Sequence, residues 1–238
     1  MIHYLDYTAP LPEENLALDE YLLYQCNDED GPEVLRFWEP TQYFVVLGRA
    51  KKIDDDLFLE HCSTDTIPIF RRVSGGGTVL QGPGCVNFSL ILRTSRSQLQ
   101  SIQGSNQWIM DMQTNGLKAL FPQIKINGIT DLVLNDIKCS GNAQRRLKHA
   151  LLFHGAFLLN FNLSKIEKYL TIPKQQPQYR NQRSHLNFLC NMDISPQQLK
   201  HHIRTTWQAN PNNNVQFSQA TLSSWARKYP NLLPNTVT

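Results

Sequence analysis

Two short blocks, Arg71-Arg72-Val73-Ser74-Gly75-Gly76-Gly77-Thr78-Val79 and Asp136-Ile137-Lys138-Cys139-Ser140-Gly141-Asn142-Ala143-Gln144-Arg145-Arg146, join cations to small residues. Glycine lacks a Cβ, so its backbone can take positive φ and approach a ligand closely, and the N–H groups of such a turn can converge on an anion. An arginine fork suits carboxylate or phosphate, whereas a lysine is a mobile point charge. Together these residue types indicate a site for a phosphorylated or acyl-phosphate species. Alternation along a strand turns Arg71 and Arg72 to opposite sides, so one of the pair is a ligand-facing cation and the other a structural or surface one. The bland alternative for the triple glycine is a loop that simply requires positive φ.

The elements that position these blocks follow from periodicity. Pro12-Glu13-Glu14 opens a helix with Leu18, Tyr21 and Leu22 on one face. Val34 to Trp38, Tyr43 to Leu47 and Ile67 to Arg72 are β-branched and aromatic runs bounded by Pro or Gly, and read as strands. Val86, Phe88, Leu90 and Leu92 alternate with Asn87 and Ser89, which turns Asn87 away from the core. A long helix is expected over Gln98 to Leu120, with Ile109, Met112 and Leu120 on one side. Leu132-Val133-Leu134 and Ile137-Lys138-Cys139 flank the turn formers Asn135-Asp136 as a hairpin. In the strand that follows, Leu151, Phe153, Phe157, Leu159 and Phe161 share one face, and His154, Ala156 and Asn160 the other. The Pro- and Gln-rich stretch Ile172 to Arg183 reads as a mobile surface loop or linker, and two helices, Ser195 to Gln208 and Ser218 to Lys228, close the chain. Without βαβ alternation, the order favours an α+β class: a mixed, largely antiparallel sheet covered by helices.

Composition narrows the function classes. With 238 residues the chain can bury a substantial core, and a net charge of +3 is too mild for a nucleic-acid binder. Five widely spaced cysteines without a CxxC argue against a disulfide framework or zinc site and fit a reducing cytoplasm. Asp6, Glu13 and Glu14 stand where a signal peptide needs a basic start and an apolar run, and no stretch reaches membrane-spanning length.

Several ordered motifs, Asn15-Leu16-Ala17-Leu18-Asp19, Leu47-Gly48-Arg49, Arg71 through Val79, Gly84-Cys85-Val86-Asn87-Phe88-Ser89, Asp131-Leu132-Val133, the Lys138 block and His154-Gly155, resemble the lipoate-protein ligase branch of the biotin/lipoate ligase and octanoyltransferase superfamily over about residues 10 to 190. The resemblance implies a cytoplasmic enzyme that uses ATP and Mg²⁺ to convert lipoate to lipoyl-AMP. It then transfers the lipoyl group to a lysine of an acidic lipoyl domain, a protein lipoylation. It also implies roles. Lys138 would be catalytic, binding the α-phosphate and the reacting carbonyl oxygen. Arg72, Ser74, Gly75, Gly76, Gly77, Gly141, Asn142 and Ala143 would hold the substrate or adenylate. Asn87 and His154 would line the acyl pocket, and Asn127 and Asp131 would serve the nucleotide and its Mg²⁺, with no metal site made by protein alone. For Asp131 a hairpin cap stays open beside that role. Phe37, Phe44, Val79 and Ala156 are candidates for the apolar wall.

The main rival within this superfamily is an ATP-independent octanoyl or lipoyl transferase carrying its acyl group on a cysteine, for which Cys85 and Cys190 are the candidates. A non-catalytic lipoyl-binding relative is a third reading. A biotin ligase is disfavoured because Arg71 to Val79 lacks a GRGRxGR-like loop. Many such ligases carry a further C-terminal domain, whereas about forty-five residues follow Met192 here. The expected layout is therefore a catalytic domain over 1–190 and a short helical extension over 191–238 packed on it, with a separate accessory subunit as one way to supply what the extension does not.

Overall fold

The computed structural model describes residues 1–28, 31–212 and 215–233. A seven-stranded sheet runs in the spatial order β1 (Ile2–Asp6), β2 (Glu33–Trp38), β6 (Cys85–Arg93), β10 (Ala150–Leu158), β9 (Ile137–Arg146), β8 (Asp131–Leu134), β7 (Lys125–Asn127). β1 joins β2 in parallel and the other neighbours pair antiparallel. A smaller sheet places β3 (Phe44–Leu47) between β4 (Ile69–Arg71), parallel, and β5 (Val79–Gln81), antiparallel. The architecture is thus α+β with mixed, mostly antiparallel sheets. β5 and β7 are three residues each, too short to show a period, and with β1 they extend the strands read from sequence.

Alternation divides the central sheet into two faces. Val86, Phe88, Leu90 and Leu92 enter one core with Phe153 and Phe157, closed by helices α3 (Ile102–Leu117) and α6 (Pro196–Thr206). Phe88 sits 5.4 Å from Phe157 and 6.2 Å from Phe153 between ring centroids. The other face receives α1 (Pro12–Asn27) and α7 (Gln219–Ala226), whose core includes Leu18, Leu22, Leu23, Ile91, Leu152 and Leu222. A third core joins the small sheet to α2 (Leu59–Thr64) and α4 (Ser164–Tyr169). Each fully buried leucine contributes roughly 1.5–3 kcal/mol relative to exposure. Among the described residues no helix is long and apolar enough to cross a membrane.

Two sequence expectations change. The helix expected over Gln98 to Leu120 starts later, because Ser101 caps it by accepting from the Gly104 N–H at 2.9 Å. Its buried side is Ile109, Met110, Gln113 and Leu117, while Leu120 lies beyond its end and is exposed. The stretch 172–183, expected to be a free loop, is tied down: its single 3₁₀ turn, Gln178–Arg180, bonds back to the β8–β9 hairpin, and Arg180 stacks 4.6 Å from the ring of Phe188 in α5 (His185–Phe188).

One buried polar cluster fixes α1 to the sheet. Asn15 and Asp19, four residues apart, point inward from an otherwise apolar helix face toward Arg36 on β2. Arg36 is fully buried and donates to Asp19 Oδ1 (2.5 Å), Asn15 Oδ1 (2.7 Å), the Asn15 carbonyl (2.9 Å) and the Tyr7 carbonyl (3.2 Å). Ser89 on β6 donates to Asp19 Oδ2 at 2.6 Å. Burial alone would raise the Asp19 carboxyl, but Arg36, His154 and Ser89 together hold it below the usual aspartate range. A depressed carboxylate contributes stability above its unfolded pKa and loses it as pH falls through the folded value. Asp19→Asn, which strands the Arg36 charge, should cost about 3 kcal/mol in urea denaturation at pH 7. The gap from wild type should narrow below about pH 4. A gap that persists undiminished at pH 3 would show that the carboxylate charge is not its source.

Candidate active site

Lys138 owes its position to a β-bulge. Leu132 pairs with Ser140 while Val133 pairs with Lys138, so β9 carries one extra residue, Cys139, against β8. The bulge turns both Cys139 and Ser140 into the interior, where each is buried. Lys138 and Gly141, three apart, consequently lie on the same face, which strict alternation forbids. The Lys138 side chain lies over Gly141: a Cβ there would come within 2.8 Å of Lys138 Nζ. Gly141 is bare backbone because the ammonium occupies that space. Asp131 Oδ1 holds the ammonium at 2.8 Å, and Asp131 Oδ2 accepts from the Tyr179 hydroxyl at 2.7 Å. Burial, then the charge of Asp131, raises the Tyr179 phenol well above its ordinary value, so it stays a donor.

The glycine loop sits over the next same-face position of β9. A Cβ on Gly76, whose φ is +91°, would lie 3.8 Å from the Ala143 Cβ. Ala143 follows Gly141 by two residues, about 7 Å along the strand. The lysine hairpin and the glycine loop therefore meet above one stretch of β9. The loop's carbonyls are gripped from behind. Arg72 Nη2 donates to the carbonyls of Gly75 (2.6 Å) and Gly77 (2.8 Å), and Nε to Ser74 Oγ (3.0 Å). Burial pushes the Arg72 guanidinium down to about 10, which leaves it charged at neutral pH. Arg71 turns the other way, as alternation requires, and donates to the carbonyls of Gly48 (3.1 Å), Arg49 (3.3 Å) and Lys51. Both arginines thus brace loops, and Arg72 spends on backbone the donors expected for a ligand. The N–H groups of Gly75, Gly76 and Gly77 donate to nothing among the described residues, and open space surrounds Gly75 and Gly77.

A relay of side chains ties this loop to α1. Ser74 Oγ lies 2.6 Å from His154 Nε2, and His154 Nδ1 lies 3.5 Å from Asp19 Oδ2. With Asp19 ionised, the consistent arrangement has His154 Nδ1–H facing the carboxylate. Ser74, His154 and Arg72 thereby join the Asp19–Arg36 cluster. Asp19, Ser89 and Tyr179 were not among the sequence candidates. For Asp19 a signal existed, a polar pair spaced i, i+4 on an apolar helix face.

Other candidates are placed differently from expectation. Asn142 alternates with Gly141 and Ala143, so its side chain turns to the opposite face, where Nδ2 donates to the Thr130 carbonyl (2.5 Å) and Oδ1 lies against Gly155. It is not brought to the site by its side chain. Asn87 does face the site side, yet it exchanges two 2.9 Å hydrogen bonds with Gln81. Asn127 stands across from Asp131, with its oxygen accepting from the Gly128 N–H at 2.8 Å in the hairpin turn. Phe37 and Phe44 are buried in separate cores and form no open wall; Val79 is exposed, and Ala156 pairs with Gly141. Arg145 continues the row of Gly141 and Ala143 and has no partner among the described residues. Cys85 and Cys139 are buried, and burial pushes each thiol up to about 12; burial also raises Cys190.

The seat of the loop rests on Gly48, where a Cβ would lie 2.1 Å from the Gly76 carbonyl oxygen. Gly48→Ala should therefore displace the loop and cost about 2 kcal/mol, whereas Gly77→Ala should fall within roughly 0.5 kcal/mol of wild type. Thermal melts of the two variants decide it; equal melting temperatures would remove the proposed seat.

The chain is similar to known proteins over most of its length. The family model described as the lipoyl protein ligase A/B catalytic domain matches residues 11–208. The chain is 32% identical over 170 residues to a probable lipoate-protein ligase A of Mycoplasma genitalium, covering 70% of this chain and 49% of that protein. To lipoate–protein ligase 1 of Staphylococcus aureus it is 26% identical over 161 residues, covering 68% and 47%. The chain thus spans about half the length of the curated relatives it matches. Among solved structures, the bi-partite lipoate protein ligase of Thermoplasma acidophilum shares the fold with a TM-score of 0.77 at 20% identity, covering 95% of this chain and 90% of that one. LipL1 of P. falciparum, solved in complex with lipoate, does so with a TM-score of 0.73 at 22% identity, covering 95% and 71%. From the match across residues 11–208, which takes in both the glycine loop and the lysine hairpin, the chain belongs to the lipoyl protein ligase A/B catalytic-domain family.

Proposed function

We propose that the chain is the catalytic unit of an ATP-dependent lipoate–protein ligase, which forms lipoyl-AMP and passes the lipoyl group to a lysine of a lipoyl domain. The observation that carries this reading is the meeting of one ammonium and one loop of free N–H groups above β9. Adenylation brings a carboxylate oxygen against the α-phosphorus of ATP, and pyrophosphate leaves. Two anions must be held together while charge builds on the phosphoryl oxygens, which is work for fixed donors and a cation. The Lys138 ammonium has three donors and gives one to Asp131, which leaves others for the α-phosphate and the acyl carbonyl oxygen. The unengaged N–H groups of Gly75 to Gly77 suit the same anion, held there by Arg72, Ser74 and His154. In transfer, the acceptor lysine amine attacks the acyl carbonyl carbon and AMP departs.

Mg²⁺ enters this reading as a companion of the triphosphate. Asp131, the carboxylate expected to serve it, spends its two oxygens on Lys138 and Tyr179, and among the described residues no three His, Cys, Asp or Glu side chains gather as a metal site. A thioester-forming transferase is less well supported, since Cys85 and Cys190 have thiols raised by burial rather than lowered toward thiolate. Residues 1–190 form the catalytic unit of this reading and 191–238 its extension. A separate accessory subunit belongs to it as well, on the analogy of the bi-partite T. acidophilum ligase. The net charge of +3 favours encounter with an acidic lipoyl domain, and five free cysteines suit a reducing cytoplasm.

Incubation of the protein with lipoate, ATP and Mg²⁺ should yield lipoyl-AMP detectable by mass spectrometry. Lys138→Ala should lower its formation about 10³-fold while the protein still melts cooperatively. The double variant C85S/C190S should keep activity within roughly twofold, as expected for cysteines outside the chemistry. A lipoyl thioester trapped on either cysteine, with no lipoyl-AMP from the wild type, would replace the ligase with the transferase.

A further inference from the structure

The segment from Pro177 to Cys190 grips the lysine-bearing hairpin at three points. The Tyr179 hydroxyl donates to Asp131 Oδ2 at 2.7 Å, Arg183 Nη2 donates to the Asp136 carbonyl at 3.2 Å, and the Cys190 N–H donates to the Lys138 carbonyl at 2.9 Å, beside the bridge of Leu189 to Lys138. The segment is itself braced, with the guanidinium groups of Arg180 (4.6 Å) and Arg183 (5.2 Å) both over the Phe188 ring and that ring 5.2 Å from the ring of Tyr179. Tyr179 also lies against Gly128 in the β7–β8 turn, so its ring contacts both that turn and Phe188. We infer that Tyr179 is a positioning residue for adenylation, which fixes the Asp131 carboxylate so that Asp131 in turn holds the Lys138 ammonium over Gly141.

The assignment follows from what each group lacks. A lysine on a four-carbon stem has several rotatable bonds, and an ion pair with a freely turning carboxylate would leave the ammonium spread over several positions. A carboxylate whose second oxygen is held by a half-buried phenol, itself packed against Phe188 and Gly128, is restrained from turning. The Asp131 oxygens are then divided between one cation and one neutral donor, and the carboxylate becomes a rigid arm. This role rests on the proposed adenylation and adds a residue to it.

The test compares Tyr179→Phe, Asp131→Asn and the double variant in lipoate-dependent ATP–pyrophosphate exchange. Tyr179→Phe keeps the packed ring and removes the hydroxyl, so it should melt close to wild type. Its kcat should fall about tenfold, the scale of a small misplacement of a reacting group, with KM for lipoate changed less than twofold. Because Tyr179 acts through Asp131, the double variant should be no worse than Asp131→Asn alone. A second readout is independent of turnover: competitive acetylation by acetic anhydride, followed by peptide mapping, should show Lys138 reacting several-fold faster in Tyr179→Phe and in Asp131→Asn. Unchanged kcat with unchanged Lys138 labelling in Tyr179→Phe, or losses that multiply in the double variant, would overturn the assignment. If the wild type made no lipoyl-AMP, the ligase reading would fall while the labelling still decided whether Tyr179 holds the Lys138–Asp131 pair.

Discussion

Three consecutive glycines have no side chains with which to hold a shape, so the loop over β9 depends on donors supplied from elsewhere. The carbonyls of Gly75 and Gly77 face Arg72, the Gly76 carbonyl lies by Gly48, and none of the three N–H groups donates to a partner among the described residues. Arg72 takes the carbonyls of Gly75 and Gly77 and the hydroxyl of Ser74, and its planar fork does so with four bonds from one side chain. A lysine at that position would offer a point charge and no fork. Burying a guanidinium is costly unless its donors are satisfied, and here the loop it organises satisfies them. With the carbonyls of Gly75 and Gly77 taken by Arg72, the loop's N–H groups stay unengaged among the described residues.

The same loop is tied to the buried polar cluster around Arg36. Ser74 touches His154 on β10, His154 faces Asp19 on α1, and Asp19 is paired with Arg36 on β2 and bonded by Ser89 on β6. Hydrophobic packing alone would let α1 slide on the sheet by small amounts, since apolar contacts have little directionality. A hydrogen-bonded chain that crosses helix, three strands and loop fixes their relative register, because a slip would leave several buried polar groups unpaired. The glycine loop thereby inherits its position from the core.

How much of this was legible in the sequence depended on which rule each residue obeyed. The strand order and the short elements β1, β5, β7, α2, α4 and α5 could not be read, but the types of the longer elements could, because runs such as Val86 to Leu92 and Leu151 to Leu159 follow period two closely. Alternation also separated Arg71 from Arg72. It could not put Lys138 with Gly141, since three residues along a regular strand means opposite faces, and nothing in the sequence announces the extra residue that reverses this. For Asn142 alternation held and the motif misled: a residue between two that face the site faces away from it. Tyr179 was hidden for another reason. Its surroundings are polar and rich in Pro and Gln, a composition that signals a free loop, whereas here the aromatic ring and two arginines build a small stack of their own.

The distribution of cations around β9 follows one division of labour. Arg71 and Arg72 are spent on backbone carbonyls and shape the two loops that converge near Gly48. Lys138 is anchored through one oxygen of Asp131 and keeps donors in reserve, and Arg145, farther along the same face, has no partner among the described residues. Rigid forks where geometry must be imposed, and an ammonium with spare donors where charge appears during reaction, are what each side chain's stereochemistry favours. An ammonium can turn its remaining hydrogens toward whichever oxygen becomes more negative, and a carboxylate partner restrained from rotating keeps its nitrogen in place while it does so. On these grounds the Asp131–Lys138 pair is better understood as an aiming device than as a stabilising salt bridge, since a partly exposed ion pair by itself contributes at most about 1 kcal/mol.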